Sequence, residues 1–191
     1  MKKIKKYLKK HLTKDRYQHT LGVAYTAAAL AMKYNPDTSN ANLVKRAYLA
    51  GLLHDCAKCM SDEKKLHICN KNSLSCNDVE EQQPYLLHGK VGAYIARKKF
   101  KIKDEDILQA ITWHTTGRPN MSLLEKIIFI ADYIEPSRKP VKELDLIRKL
   151  AFEDIDRTME KILSNTLKYL EGKSAPVDTM TRATYESYKK I

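Results

Sequence analysis

Helix-start and helix-stop signals recur along this 191-residue chain, and they constrain its fold more than any other feature of the sequence. Ser122 with Glu125 has the spacing of a capping box ahead of an apolar run, and Asp15 with Gln18 resembles one near the N-terminus. No segment alternates apolar and polar residues over the length of a strand, and no hairpin turn separates two apolar runs. The sequence therefore predicts an all-α fold, a compact helical bundle formed as one domain by residues 1–191.

Capping residues, prolines and glycines also place the predicted helices along the chain. Ser39 or Asn40 is expected to begin the helix that leads to His54, and Asp104 is expected to cap a later one. Residues 69–83 are polar and unpatterned, which predicts a loop. The predicted helices cover residues 1–12, 15–34, 39–53, 62–68, 84–95, 104–114, 122–135, 153–170 and 181–189.

The charge of the chain is concentrated near its start. Basic residues number 35 against 23 acidic ones, a formal net charge of +12, and residues 1–14 contribute seven lysines and no acid. The remainder is mildly basic, which suits a cleft for a polyanionic ligand. The predicted N-terminal helix has Ile4 and Leu8 on one side, so it either packs on the domain with its lysines in water or contacts a membrane surface or nucleic acid.

Neither a membrane span nor a secretory signal is expected from the sequence. No apolar run reaches the ~18 residues of a membrane helix, and the basic N-terminus lacks the apolar region of a signal peptide. The four cysteines, Cys56, Cys59, Cys69 and Cys76, are therefore expected to be reduced thiols in a cytoplasm. Cys56 and Cys59 form a C-x-x-C that would allow a zinc site with the other two, but the irregular spacing favours structural thiols.

Six side chains of metal-binding type occur in or at the ends of predicted helices, beside apolar residues. They are His19, His54, Asp55, His88, His114 and Asp132. His54 and Asp55 follow an apolar run, and at a helix end their side chains can converge on one ion. A lone histidine in such a place is more often a satisfied core residue, and a buried Asp132 could pair with an arginine. The order of all six, in contrast, predicts a metal site.

The six residues divide into two groups of ligands. One ion would be held by His19, His54, Asp55 and Asp132. Asp55 could bridge to a second ion held by His88 and His114, unless these two histidines contact phosphate directly. Two ions about 3.5–4 Å apart can share a hydroxide and lower its pKa toward neutrality, which would let it attack a phosphate. A histidine-rich set fits Fe, Mn, Co, Ni or Zn better than Mg.

Two basic residues are candidates for holding that phosphate. Lys58, shortly after the His-Asp pair, could act as a point charge or be a solvated surface lysine. Arg138 could offer a bidentate fork or pair with Glu135 instead. Thr115 and Gly117 follow a predicted ligand and could shape the rim of the pocket.

Three segments resemble the YqeK family of bacterial HD-domain proteins: HDCAK at 54–58, WHTTG at 113–117 and ADYIEPSR at 131–138. That family lies within the HD superfamily of metal-dependent phosphohydrolases, whose H…HD…D signature would here be His19, His54–Asp55 and Asp132. The resemblance extends from Arg16 to Tyr185. It implies symmetrical hydrolysis of diadenosine tetraphosphate to two ADP molecules, with iron as the expected metal. It further implies that the C-terminal segment from residue 174 closes over the nucleotide.

The expected roles of single residues follow from the same resemblance. Asp55, Lys58 and Arg138 are expected to act in catalysis, and Tyr185 is expected to stack on a base. The substrate is expected to contact His19, Lys58, His88, Thr115, Gly117, Arg138 and Tyr185.

Other functions are compatible with parts of the sequence. One alternative is an HD-type nucleotidase or phosphodiesterase that acts on another nucleotide. Another class is a nucleic-acid- or ribosome-associated binding module that uses the basic N-terminus. An oxygenase on a diiron scaffold of this kind is less favoured, because Lys58 and Arg138 indicate a phosphate substrate. The sequence is compatible with a homodimer.

Overall fold

The computed structural model describes residues 1–35, 42–173 and 176–189. Within these ranges the chain forms eleven α-helices and a 3₁₀ turn at Pro84–Leu87, without a β-strand, so the all-α prediction is confirmed. The predicted helix start at Ser39 or Asn40 lies outside the described residues, as does residue 174. The helices are α1 (Lys2–His11), α2 (Lys14–Tyr34), α3 (Asn42–Leu53), α4 (Asp62–Lys71), α5 (Asp78–Gln82), α6 (His88–Phe100), α7 (Glu105–Trp113), α8 (Leu123–Ile134), α9 (Leu144–Leu150), α10 (Ile155–Glu171) and α11 (Thr179–Tyr188).

The core forms around α8, which is apolar on nearly every side. Its segment Ile127–Ala131 is almost entirely buried, as expected for a helix that lacks a polar face. α8 packs against α2, α3, α7 and α10, and α2 packs extensively on α3. These packed helices position most of the predicted ligands, which lie on α2 and α8 or directly after α3 and α7.

The close approach of α2 and α3 depends on Gly51. A Cβ built at Gly51 would lie 2.9 Å from the Cα of Ala24, and the backbone of α2 cannot rotate away as a flexible side chain could. We expect Gly51→Ala to lower the free energy of unfolding by about 1–2 kcal/mol, since overpacking outweighs the better helix propensity of alanine. Chemical denaturation measures this change.

Gly172 offers a matched control for that substitution. A Cβ at Gly172 would come no closer than 3.4 Å to a neighbouring atom, the carbonyl oxygen of Lys168, which is ordinary contact. Gly172→Ala is expected to leave the protein equally stable or to stabilise it by up to about 1 kcal/mol. Equal stability of the two variants would contradict the packing role of Gly51.

Several predicted helix boundaries are confirmed. The Asp104 carboxylate accepts hydrogen bonds from the backbone N–H groups of Asp106 and Ile107 at the start of α7. Ser122 and Glu125 form the predicted reciprocal capping box at α8. The bounds of α10 and α11 fall within two residues of the predicted ones.

The predicted capping box at Asp15 and Gln18 is wrong. The hydroxyl of Thr13 instead accepts a hydrogen bond from the backbone N–H of Arg16 at 3.3 Å, so α2 begins at Lys14. Asp15 lies in the first turn of α2, where its negative charge interacts favourably with the positive end of the helix dipole.

The predicted loop at residues 69–83 is also wrong. It contains the end of α4 and all of α5, which is capped by Asn77 and Glu80. α9 is a second short helix that was not predicted, and α6 begins at His88 after a 3₁₀ turn rather than at Pro84. Helices of five to seven residues are too short to show an apolar period.

The N-terminal helix packs on the domain. Ile4, Leu8 and Leu12 are buried, while most of the lysines on α1 are exposed. Among the described residues, none of the helices combines the length and apolar character that crossing a membrane requires.

Candidate metal centre

The six predicted ligands converge in one cluster around Asp55. The Oδ1 atom of Asp55 is 3.3 Å from His88 Nε2 and 3.6 Å from His114 Nε2. Its Oδ2 atom is 3.4 Å from His54 Nε2 and 3.8 Å from His19 Nε2. The two carboxylate oxygens therefore face different pairs of imidazoles.

Asp132 closes one side of this cluster. Its Oδ1 atom is 3.0 Å from His19 Nε2 and 3.8 Å from His54 Nε2. On the other side, the Nε2 atoms of His88 and His114 are 3.0 Å apart. Three sets of donor atoms each lie within 4.8 Å of one another: His19–His54–Asp55, His54–His114–Asp132 and Asp55–His88–His114.

Backbone carbonyls fix the tautomer of three of these histidines. Each carbonyl lies three residues before its histidine: those of Gly51 and Ile111 are near the ends of α3 and α7, and that of Tyr85 is in the 3₁₀ turn before α6. Because a carbonyl oxygen only accepts, Nδ1 carries the proton and Nε2 presents a lone pair. The Nδ1 atoms of His54, His88 and His114 are 2.7, 2.6 and 2.7 Å from the oxygens of Gly51, Tyr85 and Ile111.

A carboxylate plays the same part for His19, whose Nδ1 is 3.0 Å from Glu135 Oε1. The Nε2 atoms of all four histidines thus face two carboxylates, which are also acceptors. In the described part of the chain, His19 Nε2, His54 Nε2 and Asp55 Oδ1 are buried without a hydrogen-bond partner. Buried acceptors crowded together in this way require a cation among them, so the residues fit a metal ion.

The electrostatics of the cluster favour cation binding. Burial lowers the pKa of His88 to about 4, so its imidazole is neutral at pH 7. Burial alone would raise the pKa of Asp55, but His54 and the other imidazoles hold that pKa well below its usual range. Burial alone would lower the pKa of His54, but Asp55, Asp132 and the carbonyl of Gly51 together raise it, so a proton and a metal ion compete for its Nε2.

Glu135 is buried behind His19 and is held from two sides. The backbone N–H of Ser137 donates to Glu135 Oε2 at 2.7 Å, and the Ser137 hydroxyl donates to Oε1 at 2.8 Å. Gly22 leaves the necessary space, because a Cβ there would collide with Glu135 Oε2. The fixed carboxylate therefore sets the orientation of the His19 imidazole.

We expect Glu135→Gln to lower the affinity for metal by about 10–100-fold, the usual effect of losing the partner of a metal-ligating histidine. An amide would place a donor against the donors of Ser137, so the His19 ring would lose its fixed position. Competition with a chromophoric chelator measures the affinity. Glu153→Gln, at an exposed position, is the matched control and should leave it unchanged. Equal affinity of the two variants would refute the orienting role.

Arg16 belongs to the cluster, although it is not among the residues predicted for the site. Its Nη1 atom is 2.8 Å from Asp55 Oδ2. Arg16 and His19 are three residues apart and share one face of α2, and Asp132 and Glu135 have the same spacing. This helical spacing is the signal that could have identified Arg16 and Glu135 from the sequence.

Lys58 and Thr115 lie at the other end of the cluster, beside His88 and His114. Lys58 Nζ is 3.3 Å from His88 Nε2. Thr115 Oγ1 is 3.2 Å from the Nε2 atoms of both His88 and His114. Both side chains are therefore close enough to contact a substrate bound at this end of the cluster.

A cavity of about 620 Å³ opens beside His19. Three cationic residues line it: Arg16, Arg138 and Lys139. Arg138 Nη1 is 4.0 Å from Asp132 Oδ1. In the described structure the Arg138 side chain does not pair with the Glu135 carboxylate, which was the alternative to phosphate binding considered from the sequence. Two carboxylates, those of Asp15 and Glu135, line it as well, so the cations outnumber the acidic groups by one. This basic cavity next to the cluster suits a polyanionic ligand.

The turn after α7 contacts α11. Gly117 has a φ of +65°, and a Cβ there would come within 2.7 Å of Thr184 Cγ2. Tyr185 follows Thr184 and is half-buried, with Lys189 Nζ 5.9 Å from its ring centroid. No contact among the described residues joins Tyr185 to the cluster, so its stacking role remains a prediction.

The C-x-x-C residues do not converge. Cys56 is buried, its thiol donates to the carbonyl oxygen of Gly92 at 3.6 Å, and burial raises its pKa to about 12. Cys59 is exposed. The candidate metal sets among the described residues contain histidine and aspartate but no cysteine.

Three comparisons with known proteins match this chain over most of its length. The HD domain family matches residues 16–137. The symmetrical bis(5'-nucleosyl)-tetraphosphatase of Halalkalibacterium halodurans is 44% identical over 178 residues, 93% of this chain and 91% of that protein. The protein of the same name from Bacillus subtilis is 39% identical over 178 residues, with the same coverage of 93% and 91%.

A solved structure agrees with the fold described above. It is the crystal structure of a predicted HD superfamily hydrolase involved in NAD metabolism, from Clostridium acetobutylicum. The TM-score is 0.92 at 44% identity, and the alignment covers 99% of this chain and 96% of the other.

Proposed function

Because the chain belongs to the HD domain family, and within it to the symmetrical bis(5'-nucleosyl)-tetraphosphatases, we propose that it hydrolyses diadenosine tetraphosphate to two ADP molecules. The single observation that carries this proposal is the convergence of four Nε2 atoms on two carboxylates beside a basic cavity. A pure binding module would have no need of such a buried set of acceptors.

We propose the same two sets of metal ligands that the sequence predicts. His19, His54, Asp55 and Asp132 would hold one ion, and Asp55 with His88 and His114 would hold a second. When bound, such ions would supply Lewis acidity that activates water and neutralises phosphate oxygens. We propose iron as the metal, since a histidine-rich set of nitrogen and oxygen donors suits it.

Symmetrical cleavage requires water to attack one of the two inner phosphorus atoms. A new P–O bond forms at that phosphorus, the central anhydride bond breaks, and the bridging oxygen leaves with the second ADP. Arg16 and Arg138 line the cavity, where their guanidinium groups would hold phosphate oxygens of the substrate. Lys58, at the His88 end of the cluster, would stabilise negative charge on the leaving oxygen.

The basic cavity also bears on the choice of substrate. Arg16, Arg138 and Lys139 offer several positive charges to a chain of phosphates, more than a monophosphate would occupy. The four free cysteines fit a reducing cytoplasm, where we propose that the reaction takes place.

Turnover of diadenosine tetraphosphate with product analysis tests the proposal. ADP is expected as the sole product, and chelation of the metal is expected to abolish turnover, with recovery on adding ferrous iron. Products consisting of AMP and ATP would rule out symmetrical cleavage. A panel of nucleoside monophosphates and cyclic nucleotides, tested with the same preparation, separates the proposed substrate from the HD-type alternatives.

A further inference from the structure

The entire net charge of the protein is carried by two segments that contain no acidic residue. Residues 1–14 contain seven lysines, and residues 97–103 contain four lysines and one arginine. The other 23 basic residues are matched by 23 acidic ones, so these two segments account for the whole formal charge of +12.

The fold brings the two segments together. The rings of Tyr7 on α1 and Phe100 at the end of α6 meet edge to face, with centroids 5.3 Å apart. Lys99 Nζ lies 5.1 Å from the centroid of the Tyr7 ring. Since Ile4 and Leu8 point into the core, the lysines of α1 face outward beside those of α6. We call the surface formed by residues 1–14 and 97–103 the basic face.

The cations of the basic face are exposed and mostly unneutralised. Of the twelve, Lys5 alone is half-buried, and the others are exposed. Within the described ranges of the chain, Arg97 is the one member with an ion pair, to Glu105. Such a concentration of like charge repels itself unless an anion is bound to it, so the face is suited to a polyanionic partner.

Tyrosines lie at the edge of the basic face. Lys5 Nζ is 5.8 Å from the ring centroid of Tyr48, which contacts Tyr25 edge to face at 5.4 Å. The side chain of Tyr25 is 59% exposed, on the outside of α2. Exposed aromatic rings next to cations are the elements with which proteins bind single-stranded nucleic acid, because bases stack on the rings while the phosphates contact the cations.

A membrane surface fits the same features less well. An amphipathic helix binds a membrane by burying its apolar side in the lipid. The apolar residues of α1, Ile4 and Leu8, are already packed in the core of the protein and are not available for that purpose.

We propose that the basic face binds single-stranded nucleic acid through its phosphates, with Tyr25 as a stacking surface for bases. None of its twelve cations lines the cavity beside His19. The inference is therefore independent of the proposed hydrolysis, and either can fail without the other.

Fluorescence anisotropy of a labelled oligouridylate, recorded with the full-length metal-loaded protein over a salt series, tests the proposal. The logarithm of the binding constant is expected to fall linearly with the logarithm of salt concentration, with a slope of about −0.7 per contacted phosphate. The triple variant K3Q/K6Q/K10Q removes three exposed lysines from one side of α1. It should reduce the slope by about 2 and weaken binding by about 100-fold near 0.1 M salt.

The matched control is K142Q/K149Q/K168Q, which removes three exposed lysines outside the basic face and lowers the net charge equally. It is expected to bind within about threefold of the unchanged protein, as remote charges are screened. Tyr25→Ala should weaken binding by about tenfold with little change in the salt slope. Equal losses in the two triple variants would overturn the proposal, because binding would then follow net charge alone.

Two further measurements distinguish nucleic-acid binding from membrane binding and a loss of binding from a loss of folding. Both triple variants should turn over diadenosine tetraphosphate normally, which shows that they are folded. Sedimentation with vesicles of phosphatidylglycerol and phosphatidylcholine should show no binding. Binding to these vesicles without binding to the oligonucleotide would overturn the proposal, and so would a selective loss of kcat/KM in K3Q/K6Q/K10Q, since the face would then steer the substrate.

Discussion

Asp55→Asn is expected to lower kcat/KM for diadenosine tetraphosphate by at least about 10³-fold and to remove most of the bound metal. Losing an outer partner of a metal ligand already costs about 10–100-fold, and Asp55 faces four imidazoles with its two oxygens. The amide keeps the shape of the side chain but loses its charge and one acceptor. Steady-state kinetics and metal content, measured on the same sample, check both parts.

The control for Asp55→Asn is Asp145→Asn, the same chemical change at a side chain that is 94% exposed. It should alter neither rate nor metal content. Thermal unfolding with and without added metal gives a second readout, because a ligand that binds the folded state raises its midpoint. We expect that rise to be present in the control and nearly absent in Asp55→Asn. An Asp55→Asn protein with normal metal content and rate would show that Asp55 is not a ligand.

Arg138→Gln is expected to lower kcat/KM by about 100-fold while the metal content stays normal. Removing one donor to developing charge typically costs about 10²–10³-fold in rate. Arg138 lines the cavity and its Nη1 is 4.0 Å from Asp132, close enough to serve a phosphate at the cluster but too far for a strong ion pair. Arg138→Lys should recover part of the loss, since it restores the charge but not the bidentate fork.

Arg157→Gln provides the comparison for Arg138, as Arg157 is exposed on α10. Its kinetic constants should equal those of the unchanged protein. If Arg138→Gln instead lost metal and kept the KM for the substrate, the residue would support the ligands rather than the phosphates.

The cluster of candidate metal ligands could be predicted from the sequence for a physical reason. Carboxylates and imidazoles are costly to bury among apolar residues, so an aspartate such as Asp132 inside an apolar helix already indicates a partner. The structure brings Asp132 into one cluster with the four histidines that the pattern selects. The all-α fold is readable for a similar reason, as caps such as Ser122 act through neighbouring backbone groups.

Features formed by residues far apart in the chain cannot be predicted from the sequence in this way. The cavity beside His19 lies between the start of α2 and the segment that follows α8, and no local pattern pairs these two regions. Arg16 contacts Asp55 across 39 positions of sequence, although its spacing from His19 was a usable signal. The basic face could not be predicted from the sequence either. The charge of residues 97–103 is evident from the sequence, but their position beside α1 depends on the fold.

The most direct test of the central claim is a metal titration of chelator-stripped protein, with turnover and products measured in every sample. We expect no hydrolysis without metal and a rate that rises to a plateau at about one to two ions per chain, with ADP as the sole product. Hydrolysis of diadenosine tetraphosphate at the full rate by metal-free protein, or production of AMP and ATP, would contradict the proposed metal centre and its reaction.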